Sequence, residues 1–148
     1  MNPESLSTLR TDARHIFGAA LLAVDPEKAI HRYVRRTDHM LSVDQQTYDP
    51  KAFRHIYVVG AGKAGGLMAA ALESILEDRL TGGVVNVKYG HAVPVHRVEL
   101  IEAGHPIPDN AGVQGAERIV RLLESLDEED LVFCVLSGGG SALMPLPV

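Results

Sequence analysis

The hydrophobic rhythm of the chain changes near residue 55. Before that point apolar residues recur every three or four positions, and Leu6, Leu9, Ala13, Ile16, Phe17, Ala20 and Leu21 mark one side of an amphipathic helix. Asp25-Pro26-Glu27 then supplies an N-cap acceptor, a first-turn proline and a first-turn acid for a second helix carrying Ile30, Tyr33 and Val34. Arg35-Arg36 suit the negative end of that helix. Residues 37–51 are polar and aperiodic, with Asp49-Pro50 as a turn signal, which predicts a connection holding at most one short strand. Beyond residue 55, short apolar runs alternate with helical patterns. The runs predict strands over 55–59, 83–87, 98–102 and 131–136, and the helical patterns predict helices over 63–79 and about 110–125. That alternation implies an α/β fold: a Rossmann-like parallel sheet with right-handed crossovers and helices on both faces. The leading helices cover about residues 5–36 and the sheet core about 55–148, as one incomplete domain. Ligands of such sheets bind beyond the carboxyl ends of the strands, so the loops that follow strands are expected to converge on one edge.

Two of those loops are rich in glycine. In Gly60-Ala61-Gly62-Lys63-Ala64-Gly65-Gly66, an apolar run stops at glycines that permit a sharp turn and restarts as a helix whose first N–H groups favour an anion. Lys63, in the middle of the turn, can neutralise a phosphate or carboxylate. The spacing Gly60-x-Gly62-x-x-Gly65 satisfies a dinucleotide fingerprint, which is weak when it stands alone. A nicotinamide enzyme also wants an acid near the end of the next strand, and Gly83-Val84-Val85-Asn86-Val87-Lys88 has none. NAD is therefore disfavoured, while an NADP site using Lys88 stays open. A Walker loop fails because Ala64 follows Gly62-Lys63 where a hydroxyl should hold magnesium.

The second loop, Ser137-Gly138-Gly139-Gly140-Ser141, interrupts two apolar runs and offers consecutive N–H groups and two hydroxyls to an anion. It lacks the G-x-S-x-G elbow of a serine nucleophile. A third loop, residues 102–110, is stiffened by Pro106 and Pro108 and ends in the N-cap residues Asp109 and Asn110. His105 within it is either a ligand contact or part of a rigid turn. His15, His91 and His96 show no metal-ligand spacing, and Glu102 with Asp109 does not by itself make a carboxylate pair.

Composition narrows the classes. The chain has 148 residues, 46% hydrophobic and 22% charged, enough apolar material for one core. A net charge of -5 without a basic patch interleaved with aromatics argues against nucleic acid. No run approaches the roughly 20 apolar residues that span a bilayer, and residues 1–13 carry Glu4, Arg10 and Asp12, unlike a signal peptide; the expected location is the cytoplasm. Cys134 is the only cysteine, so no intrachain disulfide forms, and its apolar surroundings predict a buried strand position. The chain stops at Met144-Pro145-Leu146-Pro147-Val148, just after the second glycine loop, which predicts a piece of a longer protein.

Four segments in order carry a family resemblance: Val58-Val59-Gly60-Ala61-Gly62-Lys63-Ala64, Val87-Lys88-Tyr89-Gly90-His91, Ala103-Gly104-His105-Pro106-Ile107-Pro108-Asp109, and Leu136-Ser137-Gly138-Gly139-Gly140-Ser141-Ala142-Leu143. With them the chain resembles the N-terminal part of the class II glycerate 2-kinases, whose C-terminal portion is called MOFRL and whose members often carry the name hydroxypyruvate reductase. The resemblance implies transfer of the γ-phosphoryl group of ATP, with a divalent metal such as Mg2+, to the 2-hydroxyl of D-glycerate. It maps the family's catalytic lysine onto Lys63. It also implies a two-domain protein with its site in the interdomain cleft, so that this chain alone is not a competent enzyme. Gly65-Gly66 depart from the more usual alanines. On this reading Gly60, Gly62 and Gly65 serve cofactor binding with Ser137, Gly138, Gly139, Gly140 and Ser141, and Lys63, His105 and Ser137 serve the substrate. Which loop faces ATP and which faces glycerate stays open, as do the metal ligands, the general base and a homo-oligomeric assembly. A non-enzymatic module that binds a phosphorylated metabolite is the other class consistent with these loops.

Overall fold

The structure is a computed structural model describing residues 3–146, so the final residues of the proline-rich terminus lie outside it. The two leading helices form as the periodicity predicts, α1 at Pro3–Ala23 and α2 at Pro26–Tyr33. The Asp25 carboxylate caps α2 by accepting the Lys28 N–H at 3.0 Å. The apolar side of α1 is not buried within the described residues: Leu9, Ile16, Phe17 and Leu21 remain 55–72% exposed.

The polar segment that follows is more ordered than its composition predicts. Val34–Arg36 (β1), Leu41–Val43 (β2) and Gln46–Tyr48 (β3) make a three-stranded antiparallel sheet. Val43 pairs with Gln46 across a two-residue turn in which Asp44 takes a left-handed φ of 52°, a conformation that aspartate tolerates. The turn lacks a glycine, and each strand is only three residues long, too short for an alternation to register. Arg35 and Arg36 consequently lie on a strand and not at the end of α2. The Arg36 guanidinium caps a different helix, donating to the Leu76 carbonyl and to Asp78.

The main sheet is parallel throughout. Its strands are His55–Ala61 (β4), Leu80–Lys88 (β5), Val98–Ala103 (β6) and Asp130–Leu136 (β7), in the spatial order β6-β5-β4-β7. Gly65–Leu76 (α3) lies on one face; Asn110–Glu124 (α4) and the short Gly140–Leu143 (α5) lie on the other. Alternation within the strands divides the core accordingly. Ile56, Val58, Val85 and Val87 pack with Ala69, Leu72 and Leu76, while Val59 and Val84 meet Ile119, and Ala61 and Ala103 meet Leu143. Burying a side chain such as Leu72 stabilises the fold by about 1.5–3 kcal/mol.

Two predicted details change. The helix expected from residue 63 begins at Gly65, because the amides before it are committed to tertiary hydrogen bonds. Cys134 is exposed, not buried. An apolar run suits a strand covered on both faces, but β7 is an edge strand with β4 as its only neighbour among the described residues.

Candidate functional site

Parallel strands all point their carboxyl ends the same way, so the loops after β4, β5, β6 and β7 meet along one edge of the sheet. The loop after β4 turns under tight constraint. The Gly62 N–H donates to the Asn86 carbonyl at 3.0 Å, the Lys63 N–H to the Gly138 carbonyl at 3.2 Å, and the Gly65 N–H to the Gly62 carbonyl at 3.0 Å. The Ala64 N–H donates to Ser137 Oγ at 3.0 Å. The four amides from Gly62 to Gly65, among those expected to cradle an anion, are therefore already bonded to protein. Gly62 has a second constraint: its φ is 144°, and a Cβ there would lie 2.0 Å from Ser137 Oγ. The loop also keeps an unspent side chain. The Lys63 side chain is exposed and makes no hydrogen bond or ion pair among the described residues.

The loop after β7 has the opposite arrangement. Ser137 is consumed from both ends, its N–H donating to the Ala61 carbonyl at 3.2 Å and its hydroxyl accepting from Ala64. Gly140 donates to the Ser137 carbonyl at 3.1 Å. Gly138 and Gly139 donate no backbone hydrogen bond among the described residues, and the Ser141 side chain is exposed. His105 reaches this loop from the one after β6. Its imidazole lies flush against Gly139, where a Cβ would come within 2.7 Å of the ring. The structure thus brings Lys63, Ser137, Gly138, Gly139 and His105 together.

The loops after β5 and β6 are tied to each other. The Tyr89 hydroxyl donates to Asp109 Oδ2 at 2.9 Å, and the Gly90 N–H donates to Glu102 Oε1 at 2.5 Å. Asp109 also caps α4 through the Gly112 N–H at 3.1 Å. The N–H groups of Gly104 and Gly112, together with the Tyr89 hydroxyl, hold its carboxyl below the usual aspartate range; the same contact with Asp109 raises the Tyr89 phenol. Glu102 and Asp109 brace these loops.

One residue of this network carries no motif signal. Asn86 is fully buried in β5, and its Nδ2 donates to the Gly112 carbonyl at 3.1 Å and to the Leu143 carbonyl at 2.8 Å. Its Oδ1 finds no partner. Two such bonds contribute about 0.5–1.5 kcal/mol each, and an orphaned buried acceptor costs about 1–3 kcal/mol, so the amide is close to neutral for stability. In the sequence Asn86 registers only as the absence of an acid. An amide in the middle of a valine-rich strand was the available signal.

An anion finds what it needs at this edge: an unpaired ammonium and backbone donors without partners. Among the described residues no three His, Cys, Asp or Glu side chains cluster as metal ligands. An open groove of about 500 Å3, lined by residues that include His31, Val34, Arg36, Ser74 and Glu77, sits at the far end of α3 from Lys63. No described helix is long and apolar enough to cross a membrane.

The chain is similar to known proteins in sequence and in fold. The chain is 38% identical over 139 residues to a glycerate 2-kinase of Pyrococcus horikoshii, an alignment covering 94% of this chain and 31% of that protein. It is 39% identical over 134 residues to an Agrobacterium vitis protein that carries the name hydroxypyruvate reductase, covering 90% of this chain and 27% of the relative. A crystal structure of glycerate kinase from Thermotoga maritima superposes with a TM-score of 0.74 at 36% identity, covering 99% of this chain and 31% of that one. The chain spans about a third of the length of these relatives. A profile of the family described as a domain of unknown function, DUF4147, matches residues 12–148, and the chain belongs to that family.

Proposed function

We propose that the chain forms one wall of a phosphoryl-transfer cleft, and that the full-length protein transfers the γ-phosphoryl group of ATP to the 2-hydroxyl of D-glycerate, giving 2-phosphoglycerate. The observation that carries this reading is Lys63: an unpaired cation on the loop edge of a chain 36–38% identical to glycerate kinases. Phosphoryl transfer asks a protein mainly for positioning and charge neutralisation. In this reading the Lys63 ammonium neutralises the transferred phosphoryl group or the glycerate carboxylate. The Gly138 and Gly139 amides and the Ser141 hydroxyl orient a second anionic group, and His105 lines the same space. Gly60, Gly62 and Gly65 act through close packing of the turn. ATP supplies the phosphoryl group, and its phosphates with one or two carboxylates and water are the usual ligands of Mg2+.

The reductase reading has less support. The end of β5 offers no acid to ribose hydroxyls, and Asn86 is sealed beneath α4 and α5. A coupled ADP-release assay with D-glycerate, run beside a nicotinamide absorbance assay with hydroxypyruvate, separates the two for the full-length protein. The expected outcome is ADP release that requires glycerate; reductase turnover without kinase turnover overturns the proposal.

A further inference from the structure

Asn86 holds the turn carrying Lys63 from both sides. Its backbone carbonyl takes the N–H of Gly62, the residue before Lys63. Its side chain takes the carbonyl at the end of α5, Leu143, and the Gly112 carbonyl in the first turn of α4. The α5 segment follows directly on the loop whose Gly138 carbonyl and Ser137 hydroxyl receive the N–H groups of Lys63 and Ala64. A carboxamide is the only standard side chain of this length that presents a two-donor amide head without a charge, and two acceptors face it here. Gly115 of α4 completes the seat, since a Cβ there would lie 2.1 Å from Asn86 Oδ1. The amide is near neutral for stability, yet its two hydrogen bonds tie β5 at one point to both α4 and α5, which also pack on the same face of the sheet.

We propose that Asn86 is a positioning residue for phosphoryl transfer: its buried amide clamps α5 and α4 to β5 and thereby fixes the Lys63 turn against the second glycine loop. The proposal rests on the reading of Lys63 given above. It does not make Asn86 a contact of any ligand.

The test is a double-mutant cycle in the full-length enzyme, followed by glycerate-dependent ADP release. Asn86→Val suits the strand and keeps the backbone bond to Gly62 while removing only the amide. We expect it to lower kcat on the order of a hundredfold, the effect of a misplacement of about an ångström, with KM for glycerate little changed. In the Lys63→Ala background the same substitution should cost nothing further, because the group it positions is gone. Asn86→Thr, which keeps one donor, should recover part of kcat, and covers the case in which Asn86→Val does not fold. Equal losses in both backgrounds, or a fall in the amount of folded enzyme at unchanged kcat per folded molecule, overturn the proposal. Normal turnover in Lys63→Ala alone would remove the Lys63 reading, and the Asn86 proposal with it.

Discussion

In the glycine loop after β4, the four consecutive amides from Gly62 to Gly65 all end on protein acceptors; in the loop after β7, Gly138 and Gly139 keep theirs. Both loops follow a buried or edge strand of the same sheet, and both interrupt apolar sequence with glycines. What separates them is what the close-approaching body is. At the first loop it is the second loop, whose Ser137 packs where a Cβ of residue 62 would stand. At the second loop, the Gly138 position faces open space. A glycine-rich turn therefore signals that backbone must come close to something, and that something can be the protein itself. On the proposed reading the first loop acts through a side chain, Lys63, and the second through its backbone.

The difference predicts unequal tolerance to a single methyl group. Gly62→Ala should destabilise the protein by about 1–3 kcal/mol through overpacking on Ser137, with a similar strain cost of about 1–3 kcal/mol from the left-handed backbone. Gly138→Ala has no neighbour within 4 Å of the added carbon and should stay within about 0.5 kcal/mol of the parent. Denaturant midpoints of the two variants check this, and equal shifts would erase the distinction between the loops.

Acid should loosen the second loop's surroundings before the first. The carboxyl of Asp109 is held below its ordinary value by the N–H groups of Gly104 and Gly112 and by Tyr89. For Glu73, burial raises the pKa, but N–H groups of His96, Arg97 and Val98 outweigh it and the net shift is downward. A carboxylate with a depressed folded pKa gives stability that is present above the unfolded value and lost as pH falls through the folded one. Thermal stability should accordingly hold from neutrality to about pH 5 and decline below about pH 4. Asp109→Asn should flatten part of that decline. The bonds of the first loop contain no titrating group, so amide exchange at residues 62–65 should change less over that range than at residues 104–109. A slope unaltered by Asp109→Asn would contradict this.

The strand and helix alternation after residue 55, the Asp25 and Asp109 caps and the convergence of loops were legible because each rests on local pattern: period, cap chemistry or glycine. The β1–β3 sheet was not, since three-residue strands and a turn at Asp44 without glycine leave no period to count. The exposure of Cys134 is illegible in the sequence for a different reason. Hydrophobicity does not say whether a strand lies at an edge; only the order β6-β5-β4-β7 does. The same limit applies to the site. The glycines and Lys63 announce a turn, but the commitment of its amides to Asn86 and to the loop after β7 depends on contacts between residues as many as 75 positions apart, for Lys63 and Gly138, and 73 for Ala64 and Ser137. Asn86 itself belongs to no motif.

The assignment of the first loop to a side chain is tested most directly by Lys63→Ala in the full-length enzyme, with kcat and thermal midpoint measured on the same preparation. The ammonium is exposed and unpaired, so its removal should leave the midpoint within the range of ordinary surface substitutions, about 0.5 kcal/mol. Turnover should fall by roughly a hundredfold to a thousandfold, about 2.7–4 kcal/mol in the barrier, as for loss of one preorganised electrostatic donor. Lys63→Arg should recover little of it, because a planar guanidinium does not replace a compact ammonium. Near-normal turnover in Lys63→Ala would contradict the account.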